Sequence, residues 1–329
     1  MKRLFVGATC YFLLFCLGCV SPFIRGESEE LFSGLPREKR VSFREVVSLP
    51  FKIGVLNAGG IPRALRVIGE LPRGGSFPKP FLYSGALRWD VIEKHAGNLS
   101  VTFFQEVWTL RDVRALLLRI SYSHAFLGKK KRNTPCFLWS NNCSGLLTIV
   151  QDKTLLVTDS GRLSYDECSG ILWLGRADCN AKKGGQWICL SLSNGSEVCS
   201  FNTHLDAGRS DDDETVRRAQ LSQIATVRNV LERRHPNAAL LFVGDLNTRI
   251  GAETLGLVDF SGTSAWEEPL SAMEDGTGRA LYTSGICTRM HPARGHFAIP
   301  KDIVSDHEFV TFEFTVENVC ANTIAHKNF

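Results

Sequence analysis

Downstream of residue 21 the sequence has no two cysteines at the C-x-x-C spacing of a thiolate metal centre, no internal repeat and no linker-like stretch. The first absence argues against a zinc ribbon or a similar thiolate-built fold, and the other two argue against a solenoid or tethered modules. Charge of one sign is also scarce. A formal net charge of +4 permits an anionic partner such as phosphate, nucleic acid or lipid headgroups without selecting one. What is present is 329 residues with 44% hydrophobic content, ample for a globular core and without a sign of disorder.

The longest apolar stretch, Leu4 to Val20, follows Lys2 and Arg3 and gives way to polar sequence. This is the layout of a secretory signal, and it is shorter than the ~20 residues of a membrane-spanning anchor. A lipoprotein variant, with an anchor on Cys19, competes with simple cleavage. Of the 11 cysteines, Cys10, Cys16 and Cys19 lie in this segment; the even remainder suits disulfides in an exported protein, although some of them could be buried thiols. Cys136 and Cys143, in an Asn- and Ser-rich stretch, are the better candidate pair. "WICLSLSNGSEVCSF" reads as a hairpin turning at Asn194-Gly195. A two-residue turn there sends Cys189 and Cys199 to opposite faces, so bonding them needs an odd-length loop or a bulge.

Along the chain, 51–57 reads as a buried strand and 84–97 as a helix with Leu87, Val91 and His95 at four-residue spacing. A second strand ends at Glu106, and Thr109 caps a second helix. Short β-like runs fill 135–204. Asp211 to Glu214 then open a helix with Ile224, Val227 and Leu231 on its buried side and Arg233, Arg234 and His235 at its end. Strands follow at 238–247, weakly near 279–286, and at 307–316. The order predicts one mixed α/β domain, sheet packed on sheet with helices outside.

Several strands end in polar residues: Asn57, Glu106, Asn202 with His204, and Asp245 with Asn247, while Asp306 and His307 precede the last strand. Each has an ordinary explanation as a turn or a solvated end. Together they form a coherent set. Carboxylate and amide oxygens without thiolates suit a hard cation such as Mg²⁺, and histidines beside it can move protons or neutralise a phosphoryl oxygen. Such a set points to phosphate ester hydrolysis.

The pieces "VLNAGG", "FFQEVW", "FNTHLDAG", "VGDLNTR" and "VSDHEFV", in that order, resemble the metal-dependent endonuclease/exonuclease/phosphatase superfamily, which includes deoxyribonuclease-type enzymes and secreted neutral sphingomyelinases. The resemblance implies a four-layer α/β sandwich of two packed mixed sheets flanked by helices. It implies Glu106 as the principal Mg²⁺ ligand with Asn57 beside it and Asp306 near the metal. His307 would be the general base, Asp245 and Asn247 would position nucleophile and phosphate, and His204 would stabilise charge on the phosphoryl oxygens. "RRAQL" matches the R-x-x-Q of the phospholipase branch, which implies a substrate-side role for Arg217 and Gln220; otherwise they belong to an ordinary exposed helix.

Two departures accompany the resemblance. Leu281 stands where the family has an aspartate that orients the catalytic histidine, with Asp275 as a possible substitute, and the aromatic hairpin that such sphingomyelinases place before the last strand is reduced to Phe297 among basic residues. His291 and His296, flanking what reads as a Pro-Gly turn, and the basic run at 129–132 are further polar features, the latter suited to anionic headgroups or nucleic acid. The expected organisation is a signal at 1–21, a polar leader at 22–48, one catalytic domain at 49–318 and a tail at 319–329. The expected function is a secreted Mg²⁺-dependent phosphodiesterase acting on phospholipid at a membrane surface, sphingomyelinase-like, of phospholipase C type. The alternatives are a secreted nuclease on the same scaffold and a catalytically silent binding protein.

Overall fold

A computed structural model describes residues 48–59, 86–128, 142, 144–169, 178–208, 210–247, 255–256, 258–259, 279–300 and 303–321. The expected signal, the basic run at 129–132, Cys136, Cys143 and Asp275 lie outside them. Two six-stranded sheets form the centre. The first runs β11-β12-β1-β2-β4-β3 and the second β5-β6-β7-β8-β10-β9. Their strands are β1 (Ser48–Asn57), β2 (Val101–Gln105), β3 (His124–Leu127), β4 (Leu147–Val150), β5 (Leu156–Ser164), β6 (Gly184–Ser191), β7 (Glu197–His204), β8 (Ala239–Asp245), β9 (Val258–Asp259), β10 (Arg279–Thr283), β11 (Thr288–Ile299) and β12 (Phe309–Asn318). The helices are α1 (Ala86–Ala96), α2 (Leu110–Leu117), the single turn α3 (Asp178–Ala181) and α4 (Asp211–Arg234).

Alternation along the central strands builds four layers. Phe51, Ile53 and Val55 of β1 meet Leu241 and Val243 of β8 and Phe312 of β12 between the sheets. The other face of β8, Leu240 and Phe242, packs against Leu221, Ile224, Val227 and Leu231 of α4. Leu56, Phe104 and Phe309 turn outward to α1 and α2. Strands covered on both faces read as unbroken apolar runs, which is why "IGVL" and "LLFV" stand out in the sequence. Helix starts are fixed chemically as well: Thr109 Oγ1 accepts from the Asp112 amide, and Ser210 and Asp213 close a reciprocal capping box at α4.

Three sequence readings are corrected. The buried stripe of α1 is Trp89, Ile92 and Ala96, whereas Leu87 and His95 are exposed. Pro292 and Gly295 make no turn: they lie within β11, a long edge strand paired with β12 whose register slips between Pro292 and Arg294, so the Pro ring falls at an irregularity where a ladder tolerates it. The β6–β7 hairpin turns through three residues rather than two, with Leu192 N donating to Ser196 O and Gly195 supplying the left-handed conformation (φ 80°). The odd count puts Cys189 directly opposite Cys199, and the two are bonded. Cys168–Cys179 and Cys287–Cys320 are further disulfides.

Phe103 is fully buried between the sheets. Phe103→Ala is expected to cost about 3–5 kcal/mol, read as a shift in the urea midpoint at unchanged slope. A loss below about 1 kcal/mol would contradict close packing at that position.

Candidate active site

Strand direction brings the polar ends together. β1 and β2 are parallel, with Asn57 paired to Gln105, so Asn57 and Glu106 leave the first sheet at the same edge. β12 runs antiparallel to β1, which returns its N-terminal end, and with it Asp306 and His307, to that edge. In the second sheet β7 and β8 are parallel with His204 paired to Asp245. Three ladders therefore place at one rim residues that the sequence separates by up to 250 positions (307 − 57).

Asn57 joins the halves. Its side-chain amide donates to Asp245 Oδ2 at 2.7 Å and to Glu106 Oε1 at 3.2 Å, while its own Oδ1 accepts from the Gly59 amide. Glu106 sits in the left-handed region (φ 57°), an uncommon conformation for a non-glycine residue that aims the carboxylate off the strand end. Burial is the largest influence on it and pushes its pKa up; His307, Lys183 and the Asn57 hydrogen bond oppose this, and Asp306 adds to it. A carboxylate so placed is a ready ligand for a cation that would replace its lost hydration.

The loop before β12 is anchored by Ser305, which is fully buried. Its hydroxyl donates to the Asn57 carbonyl at 2.6 Å and accepts from the His307 amide at 3.2 Å. His307 Nε2 is 3.9 Å from Asp306 Oδ1, and the Asp306 side chain is about half exposed. Asn247, also left-handed (φ 47°), closes its backbone N–H onto Asp245 Oδ1 and gives its amide to the Leu205 carbonyl.

One participant was not foreseen. Lys183, 5% exposed, donates to the Leu205 carbonyl at 2.7 Å and to His204 Nε2 at 3.2 Å. Burial first, then Lys183 and His307, push the His204 pKa well below its usual value. The imidazole is therefore neutral at pH 7, and because Nε2 accepts from Lys183 its proton belongs on Nδ1, which is buried and without a hydrogen-bond partner among the described residues. The positive charge at this corner is that of Lys183. The signal lay in the hairpin register: with Cys189 opposite Cys199, Lys183 falls opposite Leu205, next to His204. Gly185 beside it leaves room that any side chain would take from the Phe201 ring.

Arg217 and Gln220 are buried, not exposed as an ordinary helix face would be, and both bind backbone. Arg217 donates to the carbonyls of Asp206 and Gly208, and Gln220 accepts from the Asp206 amide and donates to the Glu167 carbonyl. Their contacts hold the loop that follows His204. Asn202 belongs behind the site, where its amide oxygen accepts from Gln105 across the sheets at 2.7 Å. Leu281 packs beside Phe242 on the α4 side, so that position provides no hydrogen bond to His307. His296, on β11, is hydrogen-bonded to Thr311 of β12. Among the described residues, no helix is long and apolar enough to cross a membrane.

Residues 93–273, more than half of the chain, match the family described as Endonuclease/Exonuclease/phosphatase family 2, and the protein belongs to that family. No curated protein sequence matches it. Solved structures with the same fold include humanized D. rerio TDP2 (14% identity, 80% of this chain and 98% of that one, TM-score 0.56) and the human Nocturnin catalytic domain with bound sulfate (17%, 81% and 93%, TM-score 0.56). Sphingomyelinase C from Streptomyces griseocarneus is similar at 13% identity, 80% and 99% coverage and a TM-score of 0.51. At these identities the likeness is one of fold.

Because its pKa is raised, Glu106 favours the fold most when protonated, and that contribution is lost as pH rises through the folded-state value. Glu106→Gln is thus expected to raise the metal-free Tm at neutral pH and to abolish the Tm gain that Mg²⁺ or Mn²⁺ gives the parent, both measured by thermal shift. An undiminished metal response in the variant would place the cation elsewhere.

Proposed function

We infer that the protein is a divalent-cation-dependent phosphodiesterase that cleaves a phospholipid phosphodiester on the phospholipase C side, exported from the cell and working at a membrane surface. The observation that carries this reading is the meeting of Asn57, Glu106 and Asp245 with Lys183, His204, Asp306 and His307 at one rim of the sandwich. The donor set fits Mg²⁺: Glu106, with Asn57 and Asp306 beside it, offers hard oxygens and no sulfur. When bound, the ion neutralises charge on the phosphoryl group.

The chain's own residues supply the remainder. His307, held by Ser305, takes a proton from the attacking water as its oxygen bonds to phosphorus and the phosphorus–oxygen bond to the lipid breaks, the departing alkoxide taking a proton from solvent to leave as the alcohol. Asp245, its carboxylate already fixed by Asn57 and the Asn247 amide, orients that water. Lys183 draws the phosphoryl oxygens electrostatically, with His204 as the neutral group between it and Asp245. Arg217 and Gln220 keep the loop after His204 in place. Export is supported by three disulfides among the described residues, which persist in oxidising compartments. The phospholipid substrate rests on the resemblance of "RRAQL" to the R-x-x-Q of the phospholipase branch and on a sphingomyelinase C among the similar structures.

The test offers mature protein with Mg²⁺ to sphingomyelin and phosphatidylcholine vesicles and, in parallel, to plasmid DNA. Phosphocholine release without nicking is expected, with a loss of at least ~10³-fold in His307→Ala. Nicking without phosphocholine release would transfer the function to nucleic acid, and inactivity on both would leave a binding protein that keeps the fold.

A further inference from the structure

At the rim remote from His204, five residues back along β7 and so roughly 17 Å away, a second cluster of ligand-type side chains is assembled. The sulfurs of Cys189 and Cys199 and a ring nitrogen of His235 all lie within 4.8 Å of one another. Four elements converge there. Asp159, Cys189 and Cys199 form one cross-strand row over β5, β6 and β7. His235, the C-cap of α4, stands over the row with its ring nitrogens 3.1 Å from Asp159 Oδ2 and 3.1 Å from Glu197 Oε1. A register shift between Val157 and Asp159 leaves Thr158 bulged, and its hydroxyl donates to Glu197 Oε1 at 2.6 Å. Arg234 adds a contact of 3.1 Å to Asp159. With the disulfide formed, this is an ionic roof over a sulfur pair.

We propose that reduction of Cys189–Cys199 converts this cluster into a zinc site, with Cys189, Cys199, His235 and Asp159 as ligands and Glu197 as the carboxylate that orients the imidazole. Two thiolates, one imidazole and one carboxylate make a donor set that suits Zn²⁺ in four-coordinate geometry, unlike the sulfur-free set at the catalytic rim. The balance is complete: a dithiol reductant transfers two electrons and two protons to the disulfide and leaves as its own disulfide. Zn²⁺ then displaces both thiol protons to solvent as two Zn–S bonds of about 2.3 Å form. His235 exchanges its Asp159 contact for the metal while Glu197 keeps the other nitrogen, the usual second partner of a zinc-bound histidine. Entry is open on one side, where a cleft of about 400 Å³ lined by Glu232, His235, Leu240 and Ile286 reaches the imidazole. The site does not draw on the catalytic rim, so the function proposed above stands or falls separately.

Mature protein is reduced with a phosphine, freed of reductant without air and titrated with Co²⁺, which reports thiolate ligation by a near-ultraviolet charge-transfer band. One equivalent is expected to produce the band, Zn²⁺ to bleach it, and the oxidised protein to show none, with the far-ultraviolet circular dichroism unchanged throughout. Cys189→Ser and His235→Gln are each expected to weaken binding at least ~10-fold. His235→Gln keeps the disulfide, so its fold is verified before reduction and it decides the matter even if Cys189→Ser fails to fold. A band of parental affinity in His235→Gln, no band in reduced parent, or loss of the folded spectrum on reduction would each overturn the site.

Discussion

The Asn57 amide stands between two carboxylates that belong to different sheets. Glu106 closes β2 and Asp245 closes β8, and without a neutral donor between them a part-buried and a buried like charge would face each other across the seam of the sandwich. Asn57 does more than separate them. Its carbonyl receives the Ser305 hydroxyl, and Ser305 receives the His307 amide, so one residue at the end of β1 sets the relative placement of an acid from each sheet and of the segment carrying the histidine. Behind it, Gln105 to Asn202 and Thr148 to Gln186 continue a polar seam between the sheets. Buried polar groups tied in this way favour one alignment of the two sheets over slipped ones, since any shift strands donors away from water.

Charge at the rim is divided by environment rather than by residue type. His204 and His307 are both imidazoles at the same edge, yet only His204 is fully enclosed, and burial first, then the Lys183 ammonium, holds its pKa well below the usual value. Glu106 is held where its negative charge is partly stripped of solvent, which raises its pKa. The arrangement costs stability at a site that the rest of the fold supports, a common pattern where chemistry is done.

Much of this was legible in the sequence because parallel strands bring equivalent ends together. Once "IGVLN", "FFQE", "FNTH" and "LLFVGD" are read as strands, a common edge for Asn57, Glu106, His204 and Asp245 follows. Other features were hidden for physical reasons. Lys183 did not stand out because its place depends on a hairpin register set by one loop residue. The helix at 86–96 carries apolar side chains on two faces, and only the packing partner decides that Trp89 and Ile92 win over Leu87. Pro292 disguised β11 as a turn, since an irregularity that admits proline on an edge strand has no local signature. Arg217 and Gln220 were identified as a pair on one helix face, but their carbonyl and amide partners lie in the loop at Asp206 and Gly208 and in the segment at Glu167, which no spacing rule reveals.

The most direct measurement is crystallographic: anomalous scattering from crystals grown with Mn²⁺, collected near the manganese edge. A single strong peak within ~2.5 Å of a Glu106 carboxylate oxygen, on the side facing Asp306 and His307, is the expected result. A peak that avoids Glu106, or none at saturating Mn²⁺, would contradict the convergence of these strand ends on one divalent cation.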